Sequence, residues 1–316
     1  MSAPADLAEV EVLDSVPLAD AVTGITLRPL AGLPVPETAP GSHVRLRLPS
    51  GLERSYSLVN APGERKHYRI AVQCAEDGRG GSREMAGLRP GDRLWAATPA
   101  NAFRLHEGEG ESVLIAGGIG ITPIWSMIQH LEAAGRPWRL FYGARNRDRA
   151  AFLDALSNLE AARPGRVTLA FSDEETRLDI PAAVASTAPD GHVYCCGPQY
   201  MLTAFRDSTG HMGERAHSED FEGVGAPEGG FEVRLARSGK SLVVAEGSSI
   251  LEAVLEAGVE PAYSCMGGTC GSCETPVLGG VPDHRDMVLT DEEKESGDKM
   301  IICCSGCVSG PLILDL

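Results

Sequence analysis

Tyr263-Ser-Cys265-Met-Gly267-Gly268-Thr-Cys270-Gly271-Ser-Cys273 sets three cysteines in a C-x4-C-x2-C array, and Cys303, Cys304 and Cys307 follow near the end of the 316-residue chain. Six of the nine cysteines fall in the last 52 residues, with Cys74, Cys195 and Cys196 elsewhere. Residues 1–20 hold no Lys or Arg and are broken by Asp6, Glu9, Glu11 and Asp14, so no secretory leader is expected and the cytoplasm is the expected compartment. In that reducing setting, crowded cysteines point to metal or redox chemistry rather than to a disulfide framework. The first three, completed by one of the three later thiols, have the spacing that holds a 2Fe-2S cluster. Such a cluster needs thiolates that converge and backbone amides that approach the sulfurs, and Gly267, Gly268 and Gly271 remove the side chains that would block this. A zinc knuckle or a group of buried thiols is the competing reading, since zinc favours paired C-x2–4-C units and tetrahedral closure.

Upstream of this loop, Phe231, Val233 and Leu235 alternate, Ser238-Gly239-Lys240 reads as a turn and Leu242–Val244 as a second strand, which predicts a hairpin. Ser249 and Glu252 form a capping-box pattern ahead of Ile250, Leu251, Val254 and Leu255, with Gly258 where a helix-ending glycine belongs. Residues 231–316 are therefore expected to form a compact α+β module. Residues 222–230 lack periodicity, are rich in glycine and read as a linker. Before them, Val113–Ala116, Leu140–Tyr142, Val167–Phe171 and Val193–Cys195 read as buried strands separated by helices, one of which presents Phe152, Ala155, Leu156 and Leu159 on a single face. This rhythm predicts an open parallel α/β sheet over residues 106–221. Over residues 1–105 the period falls to two, with Val44, Leu46 and Leu48 opposite His43, Arg45 and Arg47, and with Tyr68, Ile70, Val72 and Cys74 in register. Frequent Pro and Gly between such runs predict short half-buried strands in an antiparallel β-barrel.

The charge balance narrows the partners. With 28 Lys+Arg against 44 Asp+Glu the net charge is −16, which removes the attraction for phosphate backbones, so no nucleic-acid partner is expected. An apolar share of 43% with 23% charged residues is that of a folded chain. Ser112 to Leu131 carries no formal charge and is long enough to span a membrane, yet its glycines, Pro123, Gln129 and His130 suit a buried strand, a turn and a helix start, so no membrane partner is expected.

Two further stretches carry candidate chemistry. Arg54-Ser55-Tyr56-Ser57 ends an early strand, and Gly78-Arg79-Gly80-Gly81-Ser82 follows about twenty residues later. A flavin needs a planar platform, a donor near its reactive nitrogen and a cationic or amide-rich cradle for phosphate, roles that Tyr56, Ser57, Arg54 and the Gly80-Gly81-Ser82 loop can fill. Ala116-Gly117-Gly118-Ile119-Gly120-Ile121-Thr122-Pro123 follows a strand and opens a helix, a turn able to hold a diphosphate, although it is not the G-x-G-x-x-G pattern. Asp173 ends another strand, where its carboxylate can accept from an adenosine ribose and would repel a 2'-phosphate, so NADH is expected rather than NADPH. His211 and His217 show no metal-ligand pairing with carboxylates and are expected at the surface.

Together the Arg54–Ser57 and Gly80–Ser82 segments resemble ferredoxin reductase-type flavoproteins, Gly117, Gly118, Gly120, Thr122 and Pro123 match the GGxGxTP turn of that group, and the cysteine loop resembles that of plant-type ferredoxins. In the order barrel, nucleotide domain, C-terminal ferredoxin, nearly the whole chain resembles the phthalate dioxygenase reductase and vanillate demethylase reductase family. The resemblance implies a multidomain protein with a flavin-binding barrel, an NAD-binding α/β domain and a β-grasp, ferredoxin-like 2Fe-2S domain. It implies FMN, with FAD as the alternative, held by Arg54, Tyr56, Ser57, Gly80, Gly81 and Ser82, and a cluster on Cys265, Cys270, Cys273 and Cys303. It also implies that Cys196, Gly197 and Pro198 lie beside the nicotinamide, that Ser57 and Cys196 act at the reacting centre, and that Phe221 covers the flavin ring. The implied function is hydride transfer from NADH to flavin, then single electrons through the cluster to a terminal oxygenase of the Rieske type. A reductase for a cytochrome P450 and a non-catalytic redox-sensing protein are the alternatives.

Overall fold

A computed structural model describes residues 7–30, 32, 34–74, 80–221, 229–264, 266–268, 270–286 and 288–316. The chain divides into two compact units, Met1–Phe221 and Glu222–Leu316. Most of the expected linker, residues 222–228, lies outside the described residues.

The first sheet comprises β1 (Leu7–Ala19), β2 (Val22–Pro29), β3 (His43–Arg47), β4 (Glu53–Ser57), β5 (Tyr68–Gln73) and β6 (Arg93–Ala97), in the order β4-β3-β6-β1-β2-β5 with antiparallel pairing throughout. Its edges meet where Leu58 bridges Ile70 and Val59 N–H donates to Arg69 O at 2.8 Å, so the sheet closes into a barrel and leaves no open edge there. Helix α1 (Gly81–Gly87) plugs this barrel with the fully buried Met85. The polar face of β3 is mostly covered: His43 and Arg45 are buried at 4% and 9% exposure, and only Arg47 at its end is half-buried. Arg45 is covered because its Nη1 pairs with Glu53 Oε2 across the β3–β4 ladder at 2.6 Å, and a paired charge tolerates burial.

A second sheet follows: β7 (Ser112–Gly117), α2 (Ile121–Ala133), β8 (Trp138–Ala144), α3 (Leu153–Ala162), β9 (Val167–Phe171), α4 (Ile180–Ala185), β10 (His192–Cys196), α5 (Gln199–Thr209) and β11 (Ala216–Glu219). All its pairs are parallel, in the order β11-β10-β7-β8-β9. The uncharged stretch from Ser112 is thus a strand, a short 3-10 turn and a helix, and no helix among the described residues is long and apolar enough to cross a membrane. Winding begins at β7 and proceeds to opposite sides, so the direction reverses between β7 and β10, the place where α/β sheets open a crevice for ligands. Phe152 departs from its expected place on α3: it precedes the helix at φ 62° and stacks on Trp125 at 5.0 Å. Leu156 alone of the four expected residues is fully buried on that helix.

The two sheets of the first unit share one core. A continuous buried cluster runs from Val22 and Ala71 of the barrel through Phe103 and Leu105 to Leu114 and Ile124. Gly41 N–H donates to Ser126 Oγ at 2.9 Å and Gln129 Nε2 donates to Val59 O at 3.0 Å across the same junction. Burial of this shared apolar surface explains why residues 7–221 cohere rather than forming two separate bodies.

In the C-terminal unit, β12 (Phe231–Leu235), β13 (Lys240–Val244), α6 (Ile250–Glu256), β14 (Glu274–Asp283), α7 (Asp291–Ser296), β15 (Lys299–Ile301) and β16 (Gly306–Leu314) form a mixed sheet in the order β13-β12-β16-β14-β15, with β12 parallel to β16. A hairpin, a helix and a return strand laid parallel to the first make this the β-grasp arrangement. The capping box forms as the sequence predicts: Glu252 N–H donates to Ser249 Oγ at 3.1 Å and Ser249 N–H donates to Glu252 Oε2 at 2.9 Å. Gly258, at φ 73°, ends the helix in the left-handed conformation that glycine adopts without strain.

Candidate functional site

On β4, register decides which side chains can cooperate. Arg54 opposes Leu46 and Tyr56 opposes Val44, so both share one face, whereas Ser57 opposes His43 on the other. The face of Arg54 and Tyr56 meets α1. A Cβ built on Gly81 would lie 2.9 Å from both Cγ and Nε of Arg54, so the guanidinium stem rests directly on the Gly81 backbone. No side chain caps α1, and Gly80 precedes it at φ 87°. Two segments distant in sequence thereby form one cationic, amide-rich recess beside an aromatic ring, a donor set that fits a flavin and its phosphate. Tyr56 keeps its phenol proton: burial pushes its pKa up to about 12, partly offset by Arg54 and reinforced by Glu84. Ser82 is half-buried in the first turn of α1, and Gly78 and Arg79 lie outside the described residues. Ser57 is 6% exposed and lies opposite His43, whose backbone exchanges hydrogen bonds with Ala100.

At the reversal point of the parallel sheet, the two glycine turns interlock. A Cβ on Gly120 would sit 2.2 Å from Cys196 O, one on Gly117 would sit 2.5 Å from Met201 Sδ and 2.6 Å from Pro198 Cδ, and one on Gly197 would meet Gly117 Cα at 3.1 Å. These three glycines are demanded by close packing of turn on turn. Gly118 differs, because at φ 53° its missing side chain would point into open space. Thr122 and Pro123 are buried in the first turn of α2, where Thr122 Oγ1 donates to Ile119 O at 2.9 Å, so they shape the turn. Pro198 begins α5 on the far side.

Cys196 is fully enclosed among Ala116, Ile121 and Tyr194, and burial, with Glu219, Cys195 and Asp220 adding to it, holds its thiol proton well above the ordinary range. It is therefore a neutral thiol and not a nucleophile. Asp173 is exposed on the turn that ends β9. Its neighbour Glu174 pairs with Arg147 at 2.7 Å, and the Arg147 guanidinium lies 4.6 Å over the Phe171 ring. Phe221 is 42% exposed, which excludes a core aromatic. The buried Asp220 that precedes it accepts from Gln199 Nε2, a link between α5 and the last strand that the sequence did not announce.

In the C-terminal unit, Cys273 and Cys303 are buried at 3% and 6% exposure and Cys270 is half-buried. Ile302 N–H donates to Cys273 O at 3.4 Å, which sets the segment bearing Cys303 beside the end of the cysteine loop. Cys265 lies outside the described residues, and among those described no three His, Cys, Asp or Glu side chains form a metal-holding group. The donor chemistry nonetheless fits a cluster: soft thiols enter from two adjacent segments, and Gly268 and Gly271 adopt φ 78° and 72° beside them. Cys304 is a packing residue, fully buried, with Sγ 2.6 Å from the position a Gly268 Cβ would take. Cys307 donates to Gly310 O at 2.9 Å and is half-buried.

His217 is half-buried, whereas His211 is exposed. It stacks on Tyr194 with ring centroids 4.5 Å apart, and its Nε2 lies 2.9 Å from His192 Nδ1, while His192 stacks on His106 at 3.9 Å. Two strands that start at the same sheet edge bring these rings together, a neighbourhood no linear spacing reveals. Burial above all, and then the neighbouring imidazoles, push the His217 pKa down to about 4; burial, His106, Arg215 and Arg136 lower that of His192. Both rings are thus neutral when folded but titrate near 6.5 when unfolded, so the unfolded chain binds more protons as pH falls from 6.5 towards 4 and stability drops through that window. Allowing for partial exposure, thermal unfolding should show a loss of about 2 kcal/mol. His217→Phe, which keeps the stack on Tyr194, should remove most of the loss; an equal loss in this variant contradicts the assignment.

The oxidoreductase NAD-binding domain matches residues 114–207, and the 2Fe-2S iron-sulfur cluster binding domain matches residues 233–308. The chain is 50% identical over 282 residues to the phenoxybenzoate dioxygenase subunit beta of Ectopseudomonas oleovorans, covering 87% of each chain. The solved structure of phthalate dioxygenase reductase, described as a modular structure for electron transfer from pyridine nucleotides to [2Fe-2S], superimposes with a TM-score of 0.82 at 37% identity over 98% of both chains. An intact type IV self-sufficient cytochrome P450 monooxygenase matches 98% of this chain over 41% of its own, at 35% identity and a TM-score of 0.75.

Proposed function

The chain belongs to the phthalate dioxygenase reductase family, and from that premise we propose that it takes electrons in pairs from NADH and delivers them singly to a Rieske-type oxygenase. It is an oxidoreductase with an NAD-binding domain and a 2Fe-2S ferredoxin domain, and it serves as the reductase component of an oxygenase system. The observation that carries the reading is the presence, in one chain, of the Arg54–Gly81 recess, the interlocked turns at the reversal point and the cysteine loop.

When bound, FMN and the cluster supply the conversion of a two-electron donor into one-electron deliveries. The protein's own residues bind and orient. Arg54 and the first amides of α1 hold the phosphate, and Tyr56, kept protonated, offers its ring as a platform. Ser57, on the opposite face of β4 from Arg54 and Tyr56, carries a hydroxyl that can donate a hydrogen bond near the reactive nitrogen of the flavin. Gly118 leaves the diphosphate turn open, and the exposed Asp173 carboxylate selects a free ribose over a 2'-phosphate. Gly197 and Pro198, on the turn that the buried Cys196 anchors in the core, form the floor of the nicotinamide site, while the Gln199–Asp220 bond fixes the chain just before Phe221, which shields the flavin ring from water. No residue need act as general acid or base, because a hydride transfer moves no separate proton. The crowding of cysteines without a disulfide pattern in the sequence supports a reducing compartment, the cytoplasm.

Arg54→Ala should weaken flavin retention by about 1.5–3 kcal/mol, the worth of a charge-assisted contact, read as a rise of roughly 10- to 150-fold in the FMN dissociation constant by fluorescence. The function itself is tested by supplying NADH and purified protein to a Rieske oxygenase stripped of its own reductase. Coupled product formation supports the reading. Coupling to a P450 alone would favour the alternative suggested by the self-sufficient P450 match, and slow NADH-dependent reduction of cytochrome c would favour the redox-sensing reading.

A further inference from the structure

Between β14 and α7, three polar side-chain atoms are buried without a hydrogen-bond partner among the described residues: both ring nitrogens of His284 and Oδ2 of Asp286. Asp286 is 4% exposed. Its Oδ1 accepts from the backbone N–H groups of Val288 and Leu289 at 3.2 and 2.8 Å, which shapes the turn into α7. That turn accounts for one oxygen only, and a carboxylate oxygen stripped of water with no donor opposes folding unless it serves something else.

The surroundings say what. A Cβ on Gly268 would lie 3.6 Å from Asp286 Cα and 2.6 Å from Cys304 Sγ, and Arg285 N–H donates to Ser305 Oγ at 3.3 Å. Asp286 therefore packs against the cysteine loop, while its neighbour is tied to the segment that bears Cys303. We propose that Asp286 tunes the 2Fe-2S cluster, its dehydrated carboxylate opposing the arrival of one further electron and so holding the reduction potential down. One electron enters the cluster and no bond or proton moves. The nearby charges are few: Arg285 is paired with Asp283 at 2.6 Å, and His284 is held neutral chiefly by burial. Lys294 donates through Nζ to Asp286 O at 2.8 Å and supplies the opposing charge, but it is only half-buried and so more strongly screened.

The inference rests on the cluster being held by Cys265, Cys270, Cys273 and Cys303. Its test is an EPR-monitored redox titration of the full holoprotein with iron counted per chain. Asp286→Asn keeps the Oδ1 acceptor and its turn while removing the charge. The expected result is full iron content and a reduced-to-oxidised ratio raised about tenfold at fixed poise, about 59 mV upward for one electron. Lys294→Gln should shift the midpoint the other way by less. An unmoved midpoint in an iron-replete Asp286→Asn protein overturns the proposal, since a turn-shaping residue alone would leave it there. If that variant loses iron, Lys294→Gln decides: a lowered midpoint supports the proposal and an unchanged one overturns it. Wild-type protein without two irons per chain would instead overturn the cluster assignment on which it stands.

Discussion

Cys270→Ser is expected to abolish the 2Fe-2S signal, to lower NADH-dependent cytochrome c reduction by at least about a hundredfold, and to leave flavin bleaching by NADH intact. Serine oxygen is a hard ligand that stays protonated near neutrality, whereas the cluster needs soft thiolates, so the loss is expected to be complete rather than graded. Flavin reduction survives because every residue assigned to the flavin and the nicotinamide lies in Met1–Phe221, whereas Cys270 belongs to Glu222–Leu316, a unit with its own core of Ile250, Leu251, Val254 and Leu312. Cys304→Ser and Cys307→Ser serve as controls and retain the signal, since one thiol fills the space under Gly268 and the other bonds a carbonyl. Loss of flavin reduction along with the cluster signal would refute this division of labour.

Gly120→Ala should be the most disruptive single-methyl change at the nucleotide turn. Its Cβ would lie 2.2 Å from Cys196 O and 2.5 Å from Cys196 C, and neither turn can withdraw without separating β7 from β10. A backbone-on-backbone clash of this kind is expected to cost about 4 kcal/mol or more, which for a unit this size lowers Tm by roughly 10 °C. Gly118→Ala should behave differently. It meets nothing within 4 Å and carries only the strain of φ 53°, about 1 kcal/mol, so the fold persists while KM for NADH rises as the new methyl intrudes on the open side of the turn. Equal thermal stabilities for the two variants would contradict the packing argument.

Much of this was legible in the sequence because local chemistry and tertiary role coincide there. Ser249 and Glu252 specify a helix start through their own hydrogen bonds, and the uncharged run from Ser112 declares a buried strand by composition. The glycines of Ala116–Pro123 were legible as a turn but not in their division of labour, since whether a glycine admits a ligand or a neighbouring backbone depends on Cys196, some eighty residues later. The β3 pattern misled for a similar reason: an alternating His43 and Arg45 signal a solvated face unless a partner such as Glu53 and a second layer cover them. His217, Gln199, Asp220 and Asp286 were invisible because their significance lies in contacts across strands and turns that no spacing encodes. The separation of Ser57 from Arg54 and Tyr56 follows from strand periodicity alone once β4 is known to run through all three.

Anaerobic titration with NADH, followed by absorbance and by spin-counted EPR on the same sample, addresses the conversion of paired to single electrons most directly. Flavin bleaching is expected together with a reduced 2Fe-2S signal approaching one spin per chain. Complete bleaching with no iron-sulfur spin at any NADH ratio would contradict it.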